Sequence, residues 1–327
     1  MNEASYWITL AHLPKWRTSR INELIVKFYH ENKITIEDFF HFSESDWKTN
    51  YGLNEKEIAD LQTAKSELPN NAFLAEDVLN QGYEIIPIIS PNYSKTLKEN
   101  LKTKSSPPVL YVKGDRQMLG ERSIAIVGSR DASEIALQFT DNIAQLASRQ
   151  FKVIVSGFAK GVDKQALDSA IKHIGRSIIV LPQGIMTFAS GFKKYYKQMV
   201  EGNVLVLSTF FPKAPWKVEL AMARNPIIYG LADEIYVAES SEKGGTWSGV
   251  IDGLRKGRKI FVRKPEPDEK NANELLIQKG GTPVDFNGNE IKSEVCKTHT
   301  EQELLVSEAK PLKSKGLTDD SQTTLFP

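Results

Sequence analysis

The sequence predicts an α/β protein: a doubly wound, mostly parallel sheet with a small helical N-terminal domain and a flexible C-terminal tail. Two observations predict it. Runs of strand length recur through the middle of the chain and are apolar almost throughout, as strands covered on both faces are. Between many of them, apolar residues return every three or four positions, the period of an amphipathic helix.

Residues 1–78 read as short helices. Ile21, Leu24, Ile25 and Phe28 have helical spacing, and another helix is expected over 55–68. Trp7, Trp16 and Trp47 fall in this part; they either fill a core of its own or serve an accessory nucleic-acid-binding or dimer-forming surface. Residues 79–285 form the core. Strands are expected at 83–89, 109–112, 124–127, 153–155, 178–181, 204–207, 235–238 and 259–262. One intervening helix carries Ile135, Phe139, Ile143 and Leu146; another carries Val162, Ala166, Ala170 and Ile174. Right-handed crossovers would place such helices on both faces of the sheet. Residues 286–327 are polar, with the run KPLKSKGLTDDSQTT before a terminal LFP, and read as a flexible tail.

Composition narrows the function. With 42 basic and 41 acidic residues among 327, formal net charge is +1, so a nucleic-acid site has to be a local patch. The single cysteine, Cys296, excludes an internal disulfide and a cysteine-based zinc cluster, and five scattered histidines offer a metal little. Neither metal nor cofactor is expected. No stretch approaches the ~18 apolar residues of a membrane span, and no signal peptide is visible. The expectation is a soluble, cytoplasmic protein without a membrane partner.

In a parallel sheet, ligands bind beyond the carboxyl ends of the strands. The stretch IAIVGSRDASEIALQF puts Gly128, Ser129 and Arg130 there: a close backbone approach, a hydroxyl donor and a guanidinium that forks onto phosphate oxygens. The next loop, SGFAKGVDKQA, supplies Ser156, Gly157, Phe158, Lys160, Gly161 and Asp163. A third, SEKGGTWSG, offers the consecutive N–H groups of Gly244, Gly245 and Thr246, with Trp247 as a neighbouring aromatic. Three loops of one chemistry on one sheet edge predict a phosphate-bearing ligand.

The series IAIVGSR, VIVSGFAKGVD, SIIVLPQGI and ARNPIIYGLADEIYVAE resembles the DprA/Smf family of DNA-processing proteins, as does the upstream PNYSKTLKENLKTKSSPPVLYVKGD. The resemblance covers about 80–285. It implies an extended Rossmann-like fold, single-stranded DNA as ligand, a homodimer, and a RecA-type recombinase as partner that the protein helps to load in recombination or transformation. It also implies that Gly128, Ser129, Arg130, Ser156, Gly157, Lys160, Gly161 and Asp163 belong to the binding loops. Arg224 and Asn225 match the start of the family's Arg-Asn-Arg motif, whose third place is held by Pro226. Leu167 stands where the family usually has histidine, KGGTW replaces its Ser-Gly-Ser-Leu loop, and its C-terminal winged-helix-like domain is not expected.

Phosphates would then lie along Arg130, Lys160, Lys193, Lys194 and Arg224, the run GFKKYYKQ mixing cations with aromatics. Bases would stack on Phe158, Tyr195, Tyr196 or Trp247. The rival is a nucleotide-ligand pocket, a sensor or a phosphoribohydrolase, since KGGTW suits a ribose phosphate. Hydrolysis would need a placed carboxylate, for which Asp252, Glu219 and Glu239 are the candidates. Binding without catalysis is the expectation. The terminal QTTLF is similar to short peptides that bind the bacterial DNA sliding clamp, with Gln322, Leu325 and Phe326 as contacts.

Overall fold

In the computed structural model, residues 2–291 are described. Six helices come first: α1 (Glu3–Ala11), α2 (Thr18–Ile25), α3 (Ile36–His41), α4 (Glu44–Tyr51), α5 (Glu55–Ser66) and α6 (Leu68–Asn80). Local chemistry sets their starts. Ser43 and Asn54 each close a capping box, with Asp46 and Glu57 three residues on. Gly52 ends α4 at φ +64°, a left-handed backbone that glycine adopts without cost. Trp7, Trp47, Phe28, Phe39 and Phe40 are buried among these helices.

A nine-stranded sheet follows, in the order β1-β2-β6-β5-β4-β3-β7-β8-β9. Its strands are β1 (Glu84–Pro87), β2 (Val109–Lys113), β3 (Ser123–Gly128), β4 (Val153–Ser156), β5 (Ser177–Val180), β6 (Val204–Ser208), β7 (Glu234–Glu239), β8 (Lys259–Arg263) and β9 (Thr282–Val284). All eight expected strands are present. The ninth went unseen because three residues, one of them Pro283, make no apolar run. The sheet is parallel from β6 to β9, whereas β1–β2 and β2–β6 pair antiparallel. Both edges are short and carry a proline, Pro87 and Pro283. Beyond β9 the chain turns back, the Ile291 N–H donating to the Pro283 carbonyl at 2.9 Å.

Among the described residues follow the helices α7 (Lys95–Ser105), α8 (Glu134–Arg149), α9 (Val162–Lys172), α10 (Ala189–Val200), α11 (Val218–Ala223), α12 (Asn225–Leu231), α13 (Gly245–Arg255) and α14 (Asn273–Gln278). Successive residues of β3 point into opposite layers. Ile124 and Ile126 join the cluster under α8 with Phe139 and Ile143, while Ala125 and Val127 join the cluster that holds α12. Burial on both faces is why these runs read as continuously apolar. The second cluster runs on into the N-terminal helices, where the half-buried His12 ring meets the Tyr111 hydroxyl of β2 at 2.9 Å. Burial lowers the His12 pKa to about 4, so the imidazole is neutral there. Leu167 lies in this core, so its place on α9 asks for an apolar side chain. Among the described residues no helix is long and apolar enough to cross a membrane, and no three metal-binding side chains converge.

Candidate phosphate-binding site

The strand order reverses between β3 and β7, both of which continue a parallel sheet in opposite directions. Two loops part at such a switch point and leave a crevice. Here it is a cavity of about 380 Å³, walled by residues 127–131 at the end of β3 and just beyond it, and by Ser241, Lys243, Gly244, Gly245 and Thr246 after β7. Asp163, Met222, Arg224, Asn225 and Tyr229 close it. Helix α13 points its N-terminus into this space. Gly244, at φ +98°, is its N-cap and supplies no side-chain cap, so the first N–H groups of α13 remain as donors for a ligand. The Thr246 hydroxyl donates to the Gly128 carbonyl at 3.0 Å and ties the two walls together.

Glycines let the loops touch backbone to backbone. At Gly161, φ is +82° and a Cβ would stand 2.3 Å from the Ser129 carbonyl oxygen and 2.5 Å from that of Arg130. The Val162 N–H donates to the same Ser129 carbonyl at 3.2 Å. The loop after β4 thereby holds the loop after β3. The Ser129 N–H is spent on the Glu239 carbonyl at 2.9 Å, and its hydroxyl accepts from the Asp131 N–H at 3.1 Å, leaving the O–H to donate. Arg130 is exposed and reaches over both this cavity and a second one.

The floor is an ion pair. Arg224 is 3% exposed; its guanidinium donates to the Val180 carbonyl at 3.1 Å and to Asp163 at 3.4 Å. A Cβ on Gly157 would fall 1.4 Å from Arg224 Nη1, so this position admits only glycine while the guanidinium is there. Burial lowers the Arg224 pKa while Asp163 supports its charge, with Arg130 opposing; burial raises Asp163 against the pull of Arg224. Arg224 Nε is buried without a partner, a donor left over on the cavity's most enclosed cation.

The second cavity, of about 220 Å³, shares Arg130, Ala159 and Arg224 with the first and extends past Gly157, Phe158 and Lys160 to Trp216. The two chambers therefore adjoin across the two arginines. Lys160 is exposed and pairs with Asp131 at 2.9 Å, a contact that solvent weakens.

Most sequence-expected residues gather here, and some do not. Ser156 is buried and its hydroxyl faces the Ile126 carbonyl at 3.4 Å. Phe158, at φ +69°, lines the smaller cavity and packs edge-on against Phe188 and Tyr195, the latter buried. Trp247 is half-buried against the core and lines neither cavity. Lys193, Lys194 and Tyr196 are exposed on α10, outside both cavities. The helix after Gly-Ser-Arg offers no open anion site. It starts only at Glu134, Ser133 caps it, and the Glu239 carboxylate accepts from Ser133. Asp252 lies outside both chambers, tied to Arg255 and Lys256; Glu219 also lines neither. Pro226 occupies the first turn of α12, where a missing N–H costs nothing. Gln322, Leu325 and Phe326 lie outside the described residues. Sequence reasoning missed Lys243, Tyr229 and Trp216. Lys243 and Trp216 lie in irregular segments and Tyr229 is a buried residue of α12, so only the fold brings them to the cavities.

A doubly wound parallel sheet with an arginine-floored cavity at its switch point defines a Rossmann-like protein. A sequence profile of the family described as DNA recombination-mediator protein A matches residues 84–311. The chain belongs to that family, the DprA/Smf family of DNA-processing proteins. It is 34% identical to DNA processing protein DprA of Bacillus subtilis over 192 residues, 56% of this chain and 61% of that protein. With DprA of Streptococcus pneumoniae it shares 32% over 158 residues, 48% of this chain and 55% of that one. The matched segments thus span roughly half to three fifths of these relatives' own length. The X-ray structure of S. pneumoniae DprA superposes with a TM-score of 0.71 at 24% identity, covering 87% of this chain and 94% of that one. DNA processing protein A of Helicobacter pylori, described for its single-stranded DNA binding mode, gives a TM-score of 0.53 at 23% identity over 62% of this chain and 91% of that one.

Proposed function

We propose that this protein acts in DNA processing by binding single-stranded DNA in the two adjoining chambers, without turning it over. The observation that carries the reading is the sharing of Arg130 and Arg224 by two cavities. A closed pocket for one nucleotide needs a single chamber. Two chambers separated by cations suit successive units of a polymer, with phosphates at the partition. The open N-terminus of α13 offers one phosphate its backbone donors, and exposed Arg130 offers the next a fork. The description of the H. pylori relative supports the same ligand. A RecA-type recombinase as partner and a homodimer come with the family and extend the proposal, as does a cytoplasmic location. The clamp-binding peptide at Gln322, Leu325 and Phe326 is a separate part of it, tested by deleting the last six residues and repeating a clamp pull-down.

Anisotropy titration of a labelled thymidine strand, at two salt concentrations, tests the core claim. Wild type should bind and lose affinity steeply with salt; Arg130→Ala should bind about tenfold more weakly with a shallower salt slope. An unchanged affinity in the variant would remove the partition from the DNA path. Failure of wild type to bind at low salt would favour a nucleotide-sized ligand at Gly244 and Gly245, the rival reading.

A further inference from the structure

Trp216 differs from the other tryptophans. Trp7, Trp16 and Trp47 each donate their indole N–H, to Glu3, Asp60 and the Phe39 carbonyl, inside the N-terminal helices. Trp247 is packed against the core. Trp216 is 53% exposed, and among the described residues its indole N–H has no acceptor and its ring no aromatic neighbour. Nothing in the fold uses it. It nevertheless lines the smaller chamber, facing the space shared with Arg130, Lys160 and Arg224.

Its mounting is rigid. The loop before it is pinned by the Gly184 N–H to the Ala214 carbonyl at 2.8 Å and by the Met186 N–H to the Pro212 carbonyl at 3.0 Å. A Cβ on Gly184 would sit 2.2 Å from the Phe211 carbonyl oxygen, so the glycine lets this backbone approach. Downstream, Val218 and Met222 are 57% and 45% exposed and both line the larger chamber. An apolar rim of this kind beside a cationic floor marks a surface meant to be covered. A flat, apolar group attached to an anion is what covers both.

We propose that Trp216 is the stacking platform for an unpaired base of the bound strand, placed so that the adjoining phosphate meets Arg130. The inference rests on the reading of the chambers as a single-strand site and adds the side chain that selects unpaired bases. A duplex keeps its base faces stacked on one another and cannot offer one to the indole. Of the aromatics expected from sequence, Tyr195, Tyr196 and Trp247 line neither chamber, and Phe158, which lines the smaller one, packs edge-on against Phe188 and Tyr195.

The test uses the full chain, a labelled thymidine strand and a duplex of matching length. Trp216→Ala should weaken single-strand binding about tenfold, and Trp216→Phe should keep it within about twofold. The salt slope of Trp216→Ala should match wild type, because no phosphate contact is lost, in contrast to Arg130→Ala. Tryptophan fluorescence of wild type should be quenched by the strand and not by the duplex, and both variants should lose most of that quenching. Far-ultraviolet circular dichroism confirms that the variants are folded. Wild-type affinity and full quenching in Trp216→Ala would overturn the role of this residue and leave the DNA site standing. No strand binding by wild type would overturn the site, and the platform with it.

Discussion

Arg224→Ala is expected to lower the unfolding midpoint by about 10 °C, the response to a loss of roughly 3–5 kcal/mol in a domain of this size. The cost comes from what is left behind. Asp163 is almost enclosed, and Arg224 at 3.4 Å is the cation that compensates its charge. Truncation leaves a carboxylate in a cavity wall with one long bond, from the Ala159 N–H at 3.4 Å. Burial already holds the Asp163 pKa above its usual 3.8. A carboxyl raised in the folded state contributes stability that is fully present below 3.8 and lost as pH rises through the folded value. Without Arg224 the upward push grows, so the deficit of the variant should be largest near neutrality and shrink toward acid. Thermal melts of both proteins at about pH 5 and about pH 7.5 measure this. Equal deficits at both would show that the stranded charge is not the cause. The double variant Asp163→Asn, Arg224→Met should recover most of the loss, because neither side chain then carries a charge into the wall.

Gly161→Ala should cost a comparable amount, about 3–5 kcal/mol, and weaken DNA binding as well. Two penalties add. The backbone, at φ +82°, is one that alanine adopts only under strain, and the new Cβ meets carbonyl oxygens at 2.3 and 2.5 Å. Those atoms are backbone, so no side chain can swing aside; the Ser129–Arg130 loop has to move, and Arg130 with it. Gly244 is the control. It has φ +98° but nothing within 4 Å of a Cβ, so Gly244→Ala incurs the backbone strain alone. Urea unfolding of the two variants should separate them by about 2 kcal/mol. If they unfold alike, the close approach of the two loops is not what makes Gly161 necessary.

These residues show where the sequence speaks and where it falls silent. Strands β2 to β7 were legible because burial on both faces writes a continuous apolar run, and Glu134–Arg149 because its buried face repeats at the helical period. Strand direction is written nowhere in such a run, so the antiparallel pairing of β2 with β1 and β6 emerged only with the fold. At the site, glycine positions were legible and side-chain directions were not. Arg224 reads as a phosphate contact, and its burial depends on the missing side chain of Gly157 on a distant loop. Phe158 reads as a platform, and its ring is taken up by Phe188 and Tyr195. Trp216 sits in an irregular stretch with no period to draw attention to it.

The ends of the sheet carry a consequence for how copies of this chain meet. A bare strand edge invites another chain to extend the ladder, and proteins crowded on a common thread would be exposed to that risk. Here one border is four residues long and stops at a proline, and the other is three residues long, also with a proline, and is overlapped by the returning chain at 290–291. Little main-chain hydrogen-bonding capacity is left to share. Molecules brought side by side would find little backbone edge along which to zip into fibres.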